Sequence, residues 1–420
     1  MPQSIKAQRA LKDALKALAT IEGAGYEARL AGGCVRDRLL GILPKDYDIA
    51  ATSRPDETCA IFEQKGYKVV PTGVEHGTVT VVTPTGPIEV TTLREDVATH
   101  GRHATVVFGH DFQKDAARRD FTINAMFEDR HGKIYDYFLG KKDLQEGVLR
   151  FVGKSEERIQ EDYLRIMRFF RFWARYDLKP DQKAIEAFAI LSDGLASISQ
   201  ERKISELIGL LETDHPDDAV KVMWETGVLG HAVYEYGVKP PPLIAIKLTA
   251  EKLALTRLAQ ILNLEKVVAE MSQVKTKLKL AVNQLKFIRS LHLTDHDVAQ
   301  LLTKKTTADI LEFIDARESG LSKGVFLEAI LPIWQTLRPR DSELWLEMEK
   351  TEKSFGYRRH TSLPLSGNEV ARHLGLQPGP QIGQVLEKIR RAFWQGEVGS
   401  KKEAEAFLET IEKKDPSDRT

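Results

Sequence analysis

Residues 31–52, with the sequence AGGCVRDRLLGILPKDYDIAAT, constrain the fold of this chain more than any other segment. Gly32 and Gly33 have no Cβ, so the backbone can turn tightly there and a phosphate group can approach its amides. We predict a helix over residues 35–40, which Gly41 would end. An alternating strand pattern follows it, so the segment predicts the order turn, helix, loop and strand.

The strand pattern carries two carboxylates. Asp46 and Asp48 alternate with Tyr47 and Ile49, and side chains two residues apart point to the same face of a strand. Two carboxylates a few ångströms apart repel each other unless a cation lies between them, and hard oxygen ligands suit Mg²⁺. The pattern predicts Asp46 and Asp48 as ligands of a Mg²⁺ cofactor. An acidic turn that only solvates the surface is the alternative.

The ordered elements GG, VRD, LLG and DYDIAAT within 22 residues resemble the head-domain signature of the class II nucleotidyltransferases. This is the family of tRNA CCA-adding enzymes and bacterial poly(A) polymerases. The resemblance implies an α/β nucleotidyltransferase head, a mixed β-sheet with helices, over residues 1–147. It also implies that Asp46 and Asp48 are catalytic and that Gly33 and Arg36 bind the nucleotide.

A third carboxylate is expected on a neighbouring strand. Glu89 lies between Ile88 and Val90 in a β-rich stretch, and members of the family supply a further acidic residue for metal-assisted transfer from such a strand. The resemblance therefore implies that Glu89 is catalytic, while a solvent-facing glutamate on an edge strand is the alternative. Residues 91–110 are polar and turn-rich around Gly101, and they resemble the full-length flexible loop of complete CCA-adding enzymes.

The sequence DAARRDFTINAM at residues 115–126 matches the third motif of the family. Arg118 and Arg119 can neutralise a triphosphate, and the resemblance points to Arg119 as the nucleotide contact. Asp120 and Asn124 are expected to be structural or to bind the sugar, because such side chains commonly bond to local backbone.

Residues 160–176, QEDYLRIMRFFRFWARY, predict one amphipathic helix. Along a continuous helix, Asp162 and Arg165 present an acceptor and a donor side by side, and Arg171 faces away from Asp162. Spacing alone also fits an ion pair on a helix surface. The segment resembles the EDxxRxxRxxRF motif of the family, which implies that Asp162, Arg165, Arg168 and Arg171 bind the nucleotide.

The pair of Asp162 and Arg165 has a chemical logic for base selection. The exocyclic amino groups of cytosine and adenine donate to a carboxylate, and their ring nitrogens accept from arginine. Uracil and guanine present a carbonyl where the carboxylate lies. One aspartate and one arginine would therefore select C and A without a nucleic-acid template.

The chain after the head is predicted to be all-α. The expected parts are a helical neck over residues 148–215, a body over 216–335 and a tRNA-binding tail over 336–420, together an elongated multi-domain protein. In the neck, Glu201 and Arg202 are interpreted as a structural pair.

Two further segments are candidates for contact with tRNA. Residues 247–289 carry nine Lys or Arg against three Glu, and a segregated basic stretch suits RNA, although a solvated helix face has the same composition. Residues 377–381 join two predicted helices, and the free backbone amides before the second helix suit an RNA phosphate.

Composition narrows the class of protein. Lys+Arg and Asp+Glu both number 61, so the formal net charge of zero neither favours nor excludes a nucleic-acid partner. Cys34 and Cys59 are too few for a zinc cage and suit a reducing compartment. No run approaches the ~18 apolar residues that span a membrane. A cytoplasmic protein without membrane contact is expected, and the sequence implies no protein partner.

Together with the resemblance, these features predict an enzyme that adds C, C and A to tRNA 3′ ends from CTP and ATP. The closest alternative is a bacterial poly(A) polymerase, which shares the head and neck motifs. An enzyme that adds only CC or only A is a third possibility. A non-catalytic RNA-binding protein is disfavoured, because simple RNA binding does not require paired carboxylates.

Overall fold

The computed structural model describes residues 2–100, 103–240, 242–304, 306–318, 321, 325–377 and 379–414. The chain forms two compact units, Met1–Glu235 and Tyr236–Thr420. The finer division into head, neck, body and tail stays a prediction. No helix in the described ranges is long and apolar enough to cross a membrane.

A mixed β-sheet lies at the centre of the first unit. The strands of this unit are β1 (Ala28–Ala31), β2 (Asp48–Ala51), β3 (Lys68–Gly73), β4 (Thr78–Thr83), β5 (Gly86–Thr92), β6 (Arg94–His100), β7 (His103–Phe108), β8 (Met126–Glu128), β9 (Ile134–Asp136), β10 (Val148–Leu149) and β11 (Lys179–Pro180). Seven of them form one sheet in the order β3-β4-β5-β2-β1-β8-β9. β2 and β5 run parallel, and the other neighbours pair antiparallel. The predicted α/β head is confirmed.

Helices surround this sheet and continue after it. The α-helices of the first unit are α1 (Pro2–Gly23), α2 (Gly33–Leu39), α3 (Pro55–Gln64), α4 (Phe112–Ala117), α5 (Gly140–Glu146), α6 (Ser155–Glu161), α7 (Leu164–Tyr176), α8 (Gln182–Leu191), α9 (Gln200–Leu211), α10 (Asp217–Glu225) and α11 (Val228–Val233). The predicted helix over residues 35–40 is confirmed as α2. Gly41 has a φ of 71° just after it, as the stop signal requires.

The two faces of β2 pack against different layers, and this positions the site. Ile49 packs in a core that includes Leu18 of α1, whereas Ala50 packs on the other face with Phe112 of α4. Because side chains alternate along a strand, Asp48 belongs to the face of Ala50. Its carboxylate therefore lies on the side of the sheet away from α1.

Aromatic packing connects α7 to the segment that carries the third motif. The ring of Phe169 lies 5.4 Å from that of Phe151, 5.8 Å from that of Phe121 and 5.1 Å from that of Phe188, measured between centroids. All four side chains are fully buried, and burying a phenylalanine contributes about 1.5–3 kcal/mol. This cluster fixes α7 beside the motif that contains Phe121.

Two features of the first unit differ from the sequence prediction. β10 and β11 pair in parallel, where strands are predicted to be absent after residue 147. β6 and β7 form an antiparallel hairpin where a turn-rich loop is predicted over residues 91–110. The Thr-Val-Val-Phe run in β7 explains the hairpin, because β-branched and aromatic residues favour extended backbone. Gly101, the predicted centre of the turn, lies outside the described residues.

The second unit is helical, as predicted for residues beyond the head. Its α-helices are α12 (Ala250–Gln260), α13 (Leu264–Ala269), α14 (Met271–Leu278), α15 (Val282–Ser290), α16 (Asp295–Lys304), α17 (Thr307–Glu318), α18 (Leu331–Leu337), α19 (Ser342–Phe355), α20 (Gly367–Leu374), α21 (Pro380–Gln395) and α22 (Lys401–Lys414). The predicted connection at residues 377–381 lies after α20, but its residues 380 and 381 belong to α21, and residue 378 lies outside the described ranges.

Candidate active site

The turn before α2 requires glycine at one position. Gly32 has a φ of 70°, and a Cβ added there would lie 2.6 Å from Nη1 of Arg119. A side chain at Gly32 would therefore displace that arginine. At Gly33 an added Cβ would meet Nη2 of Arg36 at 3.5 Å, an ordinary contact. Gly32, for which the sequence predicts only a turn, is thus the more constrained of the two.

The predicted acidic residues lie at the start of β2 and on its parallel neighbour β5. Asp48 is the first residue of β2 and Asp46 lies in the bend before it; both are exposed, whereas Tyr47 and Ile49 are buried. The predicted alternation is observed, although the strand begins later than the pattern suggests. Glu89 of β5 stands directly opposite Asp48 in the register.

The electrostatics of Asp48 reflect this crowding of carboxylates. Although Asp48 is exposed to the cleft, the surrounding protein partly desolvates its carboxylate; this desolvation, followed by the negative charge of Glu89, raises the pKa of Asp48 to about 6, and Asp46 adds to the rise. The positive charge of Arg119 acts in the opposite direction. The carboxylates therefore repel one another, and a cation among them would relieve that repulsion.

These carboxylates suit a hard divalent cation by donor type. Among the described residues, no three His, Cys, Asp or Glu side chains form a cluster that could hold a metal ion by themselves. Mg²⁺ nevertheless keeps several of its waters and takes only one or two carboxylates in many phosphate-handling sites. The two aspartates, Asp46 and Asp48, fit that requirement, and Mg²⁺ itself stays a prediction.

One cleft of about 700 Å³ collects most of the predicted site residues. Its lining combines glycines, arginines, aspartates, one amide and one aromatic ring, namely Gly32, Gly33, Arg36, Asp46, Asp48, Arg119, Asp120, Asn124, Asp162, Arg165, Arg168, Arg171 and Phe172. Of the predicted set, Glu89 is outside this lining and reaches the site through its register with Asp48. The cleft thus joins the carboxylates of the head to the arginines of α7.

A buried carboxylate holds both arginines of the third motif. Asp115 is 1% exposed and pairs with Arg118 at 2.7 Å and with Arg119 at 3.0 Å. Burial alone would raise the pKa of Asp115, but the two arginines hold it below the ordinary value. Arg119 also donates to the backbone oxygen of Asn124 at 3.3 Å. Its guanidinium is therefore fixed at the cleft before any ligand binds.

Arg36 is also held in place by protein groups. It donates to Oδ1 of Asn124 at 2.5 Å and to Oδ1 of Asp37 at 2.7 Å. Its guanidinium carbon lies 4.3 Å from the centroid of the Tyr176 ring, and the Tyr176 hydroxyl donates to Asp37 at 3.0 Å. These contacts connect α2 to the end of α7 around a single arginine.

The helix predicted over residues 160–176 is broken at Asp162. α6 ends at Glu161 and α7 begins at Leu164, and Asp162 between them has extended backbone with φ of −152° and ψ of 105°. The carboxylate of Asp162 accepts from the Leu164 N–H at 3.0 Å, a local bond that competes with a continuous helix. The relative directions of Asp162 and the arginines of α7 therefore cannot be derived from rotation about one continuous helix. Arg171, predicted to face away from Asp162, lines the same cleft.

Each motif arginine of α7 pairs with a carboxylate, and Glu206 serves two of them, because its Oε1 also lies 3.9 Å from Nη1 of Arg168. The pairs are Arg165 with Glu161 at 2.6 Å, Arg168 with Asp120 at 2.6 Å and Arg171 with Glu206 at 2.5 Å. Arg165 further donates to the backbone oxygens of Arg158 at 2.8 Å and Arg118 at 3.2 Å. The guanidinium groups are thus oriented by the protein, as a preorganised site requires.

Sequence reasoning misses several of these partners. Arg202, interpreted with Glu201 as a structural pair, donates to Oδ2 of Asp162 at 3.0 Å, a contact that the sequence does not indicate. Glu206 receives no predicted role. Both contacts join α9 to residues far away in the chain, so no local pattern indicates them. Glu161, by contrast, directly precedes Asp162 in the motif, which is a signal that local reasoning could have used.

Comparisons with known proteins identify the family. Residues 28–150 match the poly A polymerase head domain, and residues 177–235 match the probable RNA and SrmB-binding site of polymerase A. The chain is 32% identical to the mitochondrial CCA tRNA nucleotidyltransferase 1 of Mus musculus over 98% of this chain and 92% of that protein. The chain belongs to the poly(A) polymerase-like family of CCA-adding nucleotidyltransferases.

Other members of the family agree in sequence and in fold. The chain is 33% identical to the CCA-adding enzyme of Streptococcus pyogenes over 92% of this chain and 93% of that protein. The crystal structure of the Bacillus stearothermophilus CCA-adding enzyme in complex with CTP superposes with a TM-score of 0.72 at 25% identity, covering 96% of this chain and 98% of that chain. The comparisons match whole domains and not single side chains, so the roles of the site residues in the head and on α7 stay predictions.

Proposed function

We propose that this protein completes tRNA 3′ ends by adding C, C and A from CTP and ATP. The observation that carries the proposal is the cleft in which the paired aspartates Asp46 and Asp48 face the same space as Asp162 and the arginines of α7. Its relatives are named as CCA tRNA nucleotidyltransferases, and one related structure contains CTP. A reactive centre and a base-reading surface in one cleft suit a polymerase that needs no template.

The head residues bind the phosphates and the attacking end of the tRNA. Arg119 and Arg36, both held by protein acceptors, supply fixed positive charge for the triphosphate, and the turn at Gly33 lets it approach the backbone. Asp46 and Asp48, with Glu89 beside them, would hold Mg²⁺, which when bound lowers the pKa of the 3′-hydroxyl and stabilises the charge of the departing pyrophosphate.

Asp162 and Arg165 select the base. Two protein donors use part of the acceptor capacity of Asp162, and a carboxylate has about four lone-pair sites, so it can still accept from the amino group of cytosine or adenine. Arg165 has a fork of five donors, and it donates three hydrogen bonds to protein oxygens. The remaining donors, on Nη2 and Nε, would bond to a ring nitrogen of the base. Arg168 and Arg171 complete the nucleotide site.

One assay tests the proposal and separates it from its alternatives. Transfer RNA without its CCA end is incubated with CTP, with ATP or with both, and product length is read at single-nucleotide resolution. We expect two added residues with CTP alone and three with both. A long tract from ATP alone would indicate a poly(A) polymerase, and a stop after CC with both nucleotides would indicate a partial enzyme. No extension would overturn the proposal.

The cysteine content bears on the cellular compartment in which this reaction occurs. The two cysteines favour a reducing compartment, and a cytoplasmic location is our proposal. One relative is named as mitochondrial. Fractionation of the source cells with detection of the protein would test this location.

A further inference from the structure

One face of α9 lies against the residues that read the base. Arg202, Glu206 and Gly209 are spaced four and three residues apart, so they share one side of the helix. Arg202 contacts Asp162 at the break between α6 and α7, and Glu206 and Gly209 both lie against Arg171 of α7. None of the three has a predicted role in the reaction.

Arg202 acts on Asp162. Because Asp162 lies at the break between two helices, no regular turn fixes its side chain. Its two oxygens are held separately, Oδ1 by the Leu164 N–H and Oδ2 by Nη2 of Arg202, each at 3.0 Å. The paired side chains are 26% and 30% exposed, and such pairs add little stability. The contact therefore matters for orientation.

Glu206 acts on Arg171 in a corresponding way. Oε2 of Glu206, whose side chain is 13% exposed, accepts from Nε of Arg171 at 2.5 Å. A Cβ added at Gly209 would lie 2.9 Å from Cδ of Arg171, so glycine leaves the space that the arginine stem occupies. Within the described part of the chain, no acceptor contacts the Nη groups of Arg171. Its outer donors are therefore available to a ligand.

We propose that Arg202 and Glu206 are positioning residues for nucleotide selection, which act through Asp162 and Arg171. Arg202 fixes the direction in which the Asp162 carboxylate accepts, and Glu206 turns the outer donors of Arg171 toward the cleft. The inference rests on the proposed function. It makes α9, which touches no reacting atom, a determinant of which nucleotide is added.

The test measures kcat/KM for CTP, ATP and UTP on trimmed tRNA. Arg202→Ala should lower the preference for CTP over UTP by about tenfold, because Asp162 loses one of its two holds. Arg202→Lys keeps the positive charge and can still donate to Asp162, although without the planar guanidinium group, so it should recover part of that preference. Glu206→Gln should raise the KM for CTP and ATP together by severalfold, with a smaller change in kcat.

Double-mutant cycles separate positioning from general damage. In an Asp162→Ala background, Arg202→Ala should cause no further loss of preference. In an Arg171→Ala background, Glu206→Gln should raise KM much less than in the wild type, because only its 3.9 Å contact with Nη1 of Arg168 remains. Lys154→Ala, which breaks an exposed pair with Glu157 at 2.7 Å, is the control and should leave both readouts unchanged.

The outcomes distinguish this inference from the function on which it rests. Coupled effects within each cycle support it. If the wild-type protein adds CCA but the effects of the two substitutions in a cycle are additive, only this inference is overturned. A wild-type protein that extends no tRNA would overturn the proposed function and this inference together.

Discussion

Arg168 of α7 donates to Oδ2 of Asp120 through Nη2 at 2.6 Å and through Nε at 3.0 Å. The other oxygen of Asp120 accepts from the side-chain amide of Asn124 at 3.0 Å, and the amide oxygen of Asn124 accepts from Arg36. A chain of hydrogen bonds thus runs from the readout helix through the third motif to the helix after the glycine turn. These bonds hold the side chains of the three elements in one fixed arrangement.

Asp120→Asn tests how much the contacts of Asp120 contribute to the free energy of unfolding. Burial alone would raise the pKa of Asp120, but Arg168 and then Asn124 hold it below its ordinary value. Such a carboxylate stabilises the fold above its unfolded pKa of about 3.9 and loses this contribution as pH falls through the folded pKa. We expect the variant to lose about 1–3 kcal/mol at pH 7 and to show a weaker acid dependence in urea denaturation.

The control for this prediction is an ion pair on the surface. Glu157→Gln removes the carboxylate from the pair with Lys154, whose side chains are 62% and 76% exposed. Exposed pairs contribute about 0–1 kcal/mol. If Asp120→Asn changes stability and its pH dependence no more than Glu157→Gln does, the pair of Asp120 and Arg168 does not hold the two elements together.

Gly32→Ala should impair nucleotide addition more than it impairs folding. The substitution combines a φ of 70° with a clash against Arg119 at 2.6 Å, and a displacement of about 1 Å in a catalytic group lowers rates by about 10²-fold. Gly41→Ala is the matched control, because Gly41 has a φ of 71° and no atom within 4 Å of an added Cβ. Each variant should lose about 1–3 kcal/mol from the positive φ, and Gly32→Ala should lose more than Gly41→Ala, because the clash adds to that cost.

The activity of the two glycine variants, measured as nucleotide addition, distinguishes the effect on Arg119 from the effect on the backbone. Only Gly32→Ala should lose addition of CTP to trimmed tRNA, since only there does the side chain meet a nucleotide-binding arginine. Equal activities in the two variants would mean that Arg119 adapts, and that the turn acts through its backbone alone.

Sequence patterns predict those parts of this protein whose structure depends on interactions between residues close together in the chain. The alternation around Asp48 predicts that Asp46 and Asp48 lie on the side opposite to Tyr47 and Ile49, and the glycine after residue 40 predicts where α2 ends. The helix over residues 160–176 is predicted wrongly as continuous, because the Asp162 carboxylate bonds to the backbone and Arg202 holds it there. The partner of Arg171 comes from another helix, and no sequence period encodes a contact between helices.

Removal of a predicted metal ligand should abolish catalysis without unfolding the protein. Asp46→Ala and Asp48→Ala each delete a carboxylate from a group that repels itself, so the melting temperature should stay the same or rise. Nucleotide addition should fall to background in both, and EDTA should have the same effect on the wild type until Mg²⁺ is restored. Glu63→Ala, at an exposed position on α3, is the control. Near-normal addition by either aspartate variant would contradict the metal assignment.

The last prediction concerns base selection by Asp162. Asp162→Ala removes the acceptor for the base amino group and leaves Arg165, which only donates, in place. The O4 atom of uracil then no longer faces a carboxylate. The variant should use CTP and ATP more slowly and tolerate UTP relatively better, with a shift of roughly one to two decades, since an unpaired buried polar group costs about 1–3 kcal/mol.

Arg165→Ala gives the contrasting result in the same single-nucleotide assay. It removes the donor and should lower CTP and ATP use together without a gain in UTP. Because Arg165 also bonds to Glu161 and to the backbone oxygen of Arg158, its melting temperature should fall as well, and activity is compared below that temperature. If Asp162→Ala instead loses all activity with unchanged selectivity, the carboxylate holds the helix break together and does not read the base.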